Sequence, residues 1–271
     1  MKNKHFNNIK FLLSVFIILN SFGFSQINFF NFYKSYQANL CCPYNVYGLG
    51  LQINYLIIDI NTAELQIPVD LYWGIMENME VGVQFAGVSR SYSDEIHKSV
   101  SDLLLGTKFN FLKESQLSTY PSVTCEIGLS LPTGDYKKGF GTGGVGFILW
   151  WLFEKEIVLK SNYYFNLLLS LGYKYNTTNP DDYRVGESLY YNFGSNFDVK
   201  ENFNFSFGVK GENKKSDEFK NQNVLNTEKF ESYFYCGINY SLDMYRMFFG
   251  SISVGITDDA KDLVFNLGMM Y

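Results

Sequence analysis

The sequence predicts a transmembrane β-barrel of about twelve antiparallel strands, on three observations. Residues 263–271 alternate bulky apolar with small or polar side chains and stop on an aromatic: Leu263, Phe265, Leu267, Met269 and Tyr271 share one face, and Val264, Asn266, Gly268 and Met270 the other. The same period of two recurs back through residues 46–271. A leader-like segment stands at the opposite end.

Lys2, Lys4 and Lys10 give that leader a positive n-region, residues 11–19 an apolar core, and Ser21, Gly23 and Ser25 the small residues of a cleavage site. A signal peptide over 1–25 follows, because the apolar run is well short of the ~20 residues a spanning helix needs. Cys41 and Cys42 lie too far downstream for a lipobox. Residues 26–45 fit a periplasmic extension, a lumenal plug or an extra strand. Residues 46–271 form one barrel domain.

Composition agrees. The chain holds 26 Phe and 21 Tyr, 18% aromatic with Trp, yet its mean hydropathy stays near zero. Half-apolar strands facing lipid on one side and water on the other produce that combination. No mature segment is apolar enough for a transmembrane helix. A net charge of −5 without a basic cluster argues against nucleic acid as a partner. Cys125 and Cys236 fall on apolar phases and behave as small hydrophobes, while Cys41 and Cys42, adjacent in sequence, could oxidise to partners after export. No His or Asp at short spacing from a cysteine suggests a metal, and no cofactor is expected.

In order, the expected strands span 46–58, 63–74, 79–89, 100–112, 120–131, 143–153, 157–175, 186–198, 202–212, 230–242, 246–256 and 263–271. Alternation is plain in most. Leu65, Ile67, Val69, Leu71 and Trp73 interleave with Glu64, Gln66, Pro68, Asp70 and Tyr72; Phe203, Phe205, Phe207 and Val209 interleave with Asn202, Asn204, Ser206, Gly208 and Lys210. The polar phase decides between a soluble sandwich and a barrel. It is rich in Gly, Ser, Asn and Gln, as a crowded lumen would be, and the apolar phase is almost free of charge, as lipid contact requires. Short turns are expected at 76–78, 154–156, 199–201 and 243–245, alternating with long loops near 90–99, 132–142, 176–185, 212–229 and 256–262. Outer-membrane barrels place the short turns in the periplasm and the long loops outside. The run 147–153 is apolar throughout, and Trp150, Trp151 and Phe153 are expected in an interfacial aromatic girdle.

One segment is more specific. Leu129-Ser130-Leu131-Pro132-Thr133-Gly134-Asp135, followed by Gly139-Phe140-Gly141-Thr142-Gly143-Gly144, resembles the outer-membrane proteins of the meta-pathway phenol-degradation family. The stretches 64–75, 80–83 and 102–111 resemble that family's early hairpin and the strand after it. Trp73-Gly74 stands where the family more often has Tyr-Gly. The resemblance, from Glu64 to the C-terminus, implies a twelve-stranded barrel that moves small hydrophobic or aromatic compounds across the outer membrane. Pro132, Thr133, Gly134 and Asp135 also read as a plain turn, in which Pro ends the ladder and Gly and Asp reverse the chain. The glycine-rich stretch is no phosphate loop, lacking the Lys-Ser/Thr ending and a helix.

Charged residues on the lumenal phase are the candidate solute pathway: Glu64, Asp70, Glu80, Asp102, Lys108, Glu126, Lys174, Asp198 and Lys210. They serve either as ion pairs that fill the barrel or as a polar constriction. Asp102, Lys108, Glu80 and Glu126 are expected to form its centre. Replacing Asp102 or Lys108 by Ala should then alter conductance or stability, while Glu218→Ala, in a loop read as a solvated cap, should do neither. A catalytic alternative, an outer-membrane phospholipase or acyltransferase, needs a Ser with a His base; the mature chain holds one His, His97, with Ser91, Ser93 and Ser99 near it, and no Gly-x-Ser-x-Gly elbow, so no catalytic residue is assigned. A third class is a structural or adhesive barrel with a closed lumen. Expected partners are outer-membrane lipid, a small-molecule solute and, through the strand ending at Tyr271, the barrel-assembly machinery.

Overall fold

A strand whose side chains alternate between apolar and polar needs two different surroundings, and a sheet closed on itself supplies them. The computed structural model describes residues 45–59, 62–92, 95–113, 120–160, 163–200, 202–242 and 246–270. The leader, most of the 26–45 segment, Cys41, Cys42, the turn 243–245 and Tyr271 lie outside the described residues.

Twelve barrel strands are present among the described residues. They are β1 (Tyr47–Asp59), β2 (Thr62–Met76), β3 (Met79–Tyr92), β4 (in two segments, Glu95–Val100 and Leu103–Leu112), β5 (Ser122–Leu131), β6 (Gly146–Lys160), β7 (Tyr163–Asn176), β8 (Ser188–Lys200), β9 (Phe203–Lys214), β10 (Lys229–Ser241), β11 (Met247–Gly255) and β12 (Leu263–Met270). Each pairs antiparallel with its sequence neighbours, and β12 returns to β1 in register from Gly50↔Met270 to Ile57↔Leu263. Closure pairs the barrel wall all round among the described residues, as backbone in hydrocarbon requires, and leaves only the Glu95–Val100 segment of the β3–β4 hairpin paired on one side.

The two faces are those of an inside-out protein. Leu71, Phe193, Phe207, Phe234 and Ile238 are exposed on the outer surface. Inside, Gln52, Asn54, Asp70, Lys108, Asn110, Ser122 and Thr124 are buried. Outer aromatics pair near the short turns, Tyr47 stacked on Trp73 at 5.5 Å and Phe203 edge-on to Phe205 at 5.1 Å. Cys125 and Cys236 are free thiols, and Cys125 lies in register between Phe109 and Trp151.

Three expectations are corrected. Residues 154–156 are not a turn: β6 runs on to Lys160, with Glu154 buried on the inner face. A Glu-Lys-Glu triplet reads as a turn only if charge is assumed to leave the sheet, whereas here alternation carries Glu154 and Glu156 to the lumen phase. Residues 90–99 are not a loop either, because β3 reaches Tyr92 and pairs with Glu95–Val100 in a long hairpin. Trp150 is buried inside the barrel, while Trp151 faces out and stacks on Phe111 at 5.8 Å.

Three inward aromatics share one packing: each lies on the wall across a glycine of a paired strand, Tyr72 over Gly48, Trp150 over Gly172 and Phe249 over Gly268. A Cβ at any of these glycines would enter the ring's van der Waals shell. Tyr235 likewise reaches across Gly208 and Gly194. Glycine keeps a narrow barrel wide enough to hold rings.

Candidate functional site

Lumenal charge begins in one row. Glu80 on β3, Lys108 on β4 and Glu126 on β5 are direct register neighbours, each 0–1% exposed. A lysine between two carboxylates, all removed from water, is the arrangement in which mutual attraction offsets desolvation. Asp70, 0% exposed, accepts Gln52 Nε2 at 2.6 Å and also bonds Gln84 Nε2. Glu64 accepts Arg90 Nε at 2.6 Å and Gln66 Nε2 at 2.6 Å. On the β1–β5 side, polar groups therefore bond one another and fill the interior.

Asp102 stands apart from that row, contrary to expectation. It lies at the break between the segments of β4, at the loop end, and its two oxygens hold the connection 132–145. Oδ1 accepts Gly134 N at 3.0 Å; Oδ2 accepts Thr142 N at 2.8 Å and Thr142 Oγ1 at 2.9 Å. This explains the Pro-Thr-Gly-Asp and glycine-rich pattern. A side chain at Gly134 would strike the Phe140 carbonyl, and one at Gly141 would strike Asp102 itself. Thr133 Oγ1 accepts Leu103 N at 2.8 Å, and Asp135 caps the 3₁₀ turn Tyr136–Lys138. The Lys138 ammonium holds the Asp135 carboxyl below the usual carboxylate range. The motif thus docks a loop on a sheet break.

Opposite the filled side, the lumen opens into a cleft at the loop end. Trp150 stacks on Tyr190 with centroids 5.4 Å apart and rings inclined 26°. Around them stand Lys174 on β7, Lys210, Glu212 and Lys214 on β9, Lys229, Glu231 and Tyr233 on β10, and Lys261 from the last connection. Glu231 is 3.9 Å from Lys229 Nζ and 4.0 Å from Lys261 Nζ, and accepts Tyr233 Oη at 2.7 Å. Lys210 Nζ lies 5.6 Å from the Tyr235 ring centre. Of the expected pathway residues, Lys174 and Lys210 meet here; Glu64, Asp70, Glu80, Lys108 and Glu126 belong to the filled side, and the side chain of Asp198 lies outside the described residues. The aromatic pair, Glu212, Lys214, Lys229, Glu231 and Lys261 were missed. Extending the phase of Lys210 by two and four residues would have reached Glu212 and Lys214.

Above the cleft the connections interlock. Tyr183–Arg184 pairs with Glu218–Phe219, which pairs with Gln222–Asn223. Arg184 forks onto Glu218, so Glu218 is an anchor of the layer and not a bystander in a solvated cap. Asp217 accepts Gly186 N at 2.7 Å, pairs with Lys214 at 2.6 Å and bonds the Tyr183 hydroxyl. Burial alone would raise the Asp217 carboxyl; the Gly186 amide, Lys214 and Tyr183 together hold it below its ordinary value. Burial first, then Asp217, pushes the Tyr183 phenol up to about 12. Tyr136 Oη donates to Asp181 at 3.0 Å, tying in the Asp102-held loop. His97 sits in the exposed β3–β4 hairpin, 3.4 Å from Glu95.

The fold is similar to an outer membrane channel from Pseudomonas putida F1, at 12% identity and a TM-score of 0.70 over 86% of this chain and 97% of that one. It is also similar to the NanC porin, at 11% identity and 0.50 over 82% and 98%. The transport unit of the autotransporter AIDA-I from Escherichia coli gives 8% and 0.50 over 88% and 94%. At such identities the likeness is one of fold, an outer-membrane barrel. No curated protein matches the chain. Residues 45–271 match the model of the family described as "Putative MetA-pathway of phenol degradation", and the chain belongs to that family.

Proposed function

We propose that this protein is an outer-membrane channel for small hydrophobic or aromatic solutes. The observation that carries the reading is the Trp150–Tyr190 stack inside the barrel, an aromatic surface that lines the cleft at the loop end. A ring travelling through the lumen would find there a face to stack on. The family description, with its reference to phenol degradation, points to the same class of cargo. Residues 1–25 act as the export signal, the long connections face the outside, and the strand ending at Tyr271 engages the assembly machinery. The charged lumenal residues and the Pro132–Asp135 loop shape the route without chemistry of their own.

The test is single-channel conductance of the refolded mature chain in a planar bilayer, with phenols and small aromatic acids as blockers. Discrete steps that these solutes interrupt support an open route with an internal site. A folded, heat-modifiable but silent barrel favours a closed lumen with a structural or adhesive role. That second reading has its own support in the complete exclusion of solvent from Asp70 and Lys108.

A further inference from the structure

Overall charge and local charge disagree at the loop-end cleft. The chain as a whole carries −5. Yet five lysines line this cleft (Lys174, Lys210, Lys214, Lys229 and Lys261) against two lining carboxylates, Glu212 and Glu231, with Asp217 bonded to Lys214 from the loop layer and Asp102 facing Lys174 from the break in β4. Both lining acids are already engaged: Glu231 is shared by Lys229, Lys261 and Tyr233, and Glu212 bonds the Tyr190 hydroxyl and faces Lys174. A cationic surplus remains, contributed from four separate parts of the fold.

Its placement is as telling as its sign. Tyr190 lines the cleft where Trp150, Lys210 and Lys261 stand and also the part where Lys174, Lys214 and Lys229 stand. The aromatic pair and the ammonium groups therefore share one chamber. Solvent reaches it, since the side chains of Lys229 and Lys261 are 54% and 23% exposed. A cleft lined by one sign with low-dielectric walls concentrates the opposite charge, and rings of lysine select anions in pores. A neutral hydrocarbon would gain nothing from five lysines.

We infer that the loop-end cleft is a binding site for single-ring aromatic carboxylates, the ring taken by Tyr190 of the Trp150–Tyr190 pair and the carboxylate by the lysines led by Lys174 and Lys210. The inference rests on the channel reading and narrows it from aromatic solutes in general to aromatic anions. Lys174 and Lys210 bear on specificity because both project from the wall beside the ring pair, whereas Lys214 and Lys229 sit at strand ends where Asp217 and Glu231 hold them.

The probes are benzoate, benzyl alcohol and benzylammonium, titrated against the folded full barrel in detergent by intrinsic tryptophan fluorescence, alongside reversal potentials in a salt gradient. Benzoate should bind at least about tenfold more tightly than benzyl alcohol, the scale of one charge-assisted contact, and the open pore should prefer chloride to potassium. Lys174→Gln with Lys210→Gln should bring benzoate to within about threefold of benzyl alcohol, and Lys174→Arg with Lys210→Arg should restore the gap. Lys113→Gln, at the opposite end, should change nothing. Heat-modifiable mobility identifies variants that fold. Equal or weaker binding of benzoate than of benzyl alcohol, a cation-preferring pore, or no binding of any probe overturns the inference. A barrel that conducts and is blocked equally by all three probes refutes this site and leaves the channel reading standing. Benzoate preference in a silent barrel upholds the site and refutes the channel reading.

Discussion

Gly172 shapes the lumen as much as the tryptophan that lies on it. The Trp150 ring occupies the space a Cβ would need, so Gly172→Val must push the ring toward the barrel axis and off Tyr190. Overpacking of this kind costs about 1–3 kcal/mol. The variant should unfold at lower urea and shift its tryptophan emission, and an unchanged midpoint and spectrum would refute the ring-on-glycine packing. Lys108 is the second residue on which much turns. Replacing it by Met removes the cation between Glu80 and Glu126 while both stay out of water, a loss of about 3–5 kcal/mol. Adding Glu80→Gln and Glu126→Gln should recover much of that in the same urea titration; no recovery would mean the three do not act as a unit. Asp102 shows why a charge on the lumen phase cannot be assigned from phase alone. Its oxygens are consumed by two amides and a hydroxyl 32 to 40 residues away, in a loop whose path no local pattern reveals.

At the scale of elements, the interlocked connections have a working range of pH. Asp217 is held below its ordinary value, so its bonds contribute fully above about pH 4 and are lost as pH falls through the lower, folded value. Tyr183 is raised to about 12, so its contribution is complete below the ordinary tyrosine value and lost as pH rises through about 12. The layer should be firm from about pH 4 to about pH 10. Amide exchange at residues 182–187 and 217–224, corrected for intrinsic rates, should accelerate between pH 5 and pH 3 and stay level between pH 6 and pH 9. Acceleration within the neutral range would assign the layer to other contacts. The strands themselves were legible because alternation is local and survives in nearly every one. The exceptions are instructive. Residues 147–153 carry no phase to read, so Trp150 could not be told from Trp151. The cleft draws on five consecutive strands, β6 through β10, and on the connection after the neighbouring β11, whose side chains only the curvature of the sheet turns toward one another.

For the whole molecule, the apolar belt ties the fold to its solvent. Phe207, midway along β9, is 44% exposed to what must be hydrocarbon. Phe207→Arg should lower unfolding free energy in lipid vesicles by about 2–4 kcal/mol, against little change in a polar detergent rim; equal tolerance in both would dislodge the belt assignment. The belt was readable from composition, since rings abundant at near-zero mean hydropathy leave few other arrangements. The asymmetry of the interior, filled beside β1–β5 and cleft beside β6–β10, was not readable, because both sides use the same residue types and differ only in how those residues meet. The interlocking of the connections also dictates where a foreign peptide can be spliced into this protein. Breaking the chain at residues 182–187 or 215–218 would sever bonds to several connections together. Lys220 and Asn221, with φ of 51° and 63°, form the reversal at the tip of the small hairpin, attached across the layer by the backbone bond from Lys220 N to Asp182 O. An epitope inserted between them would ride clear of the barrel, giving a handle by which intact cells could be stained or sorted.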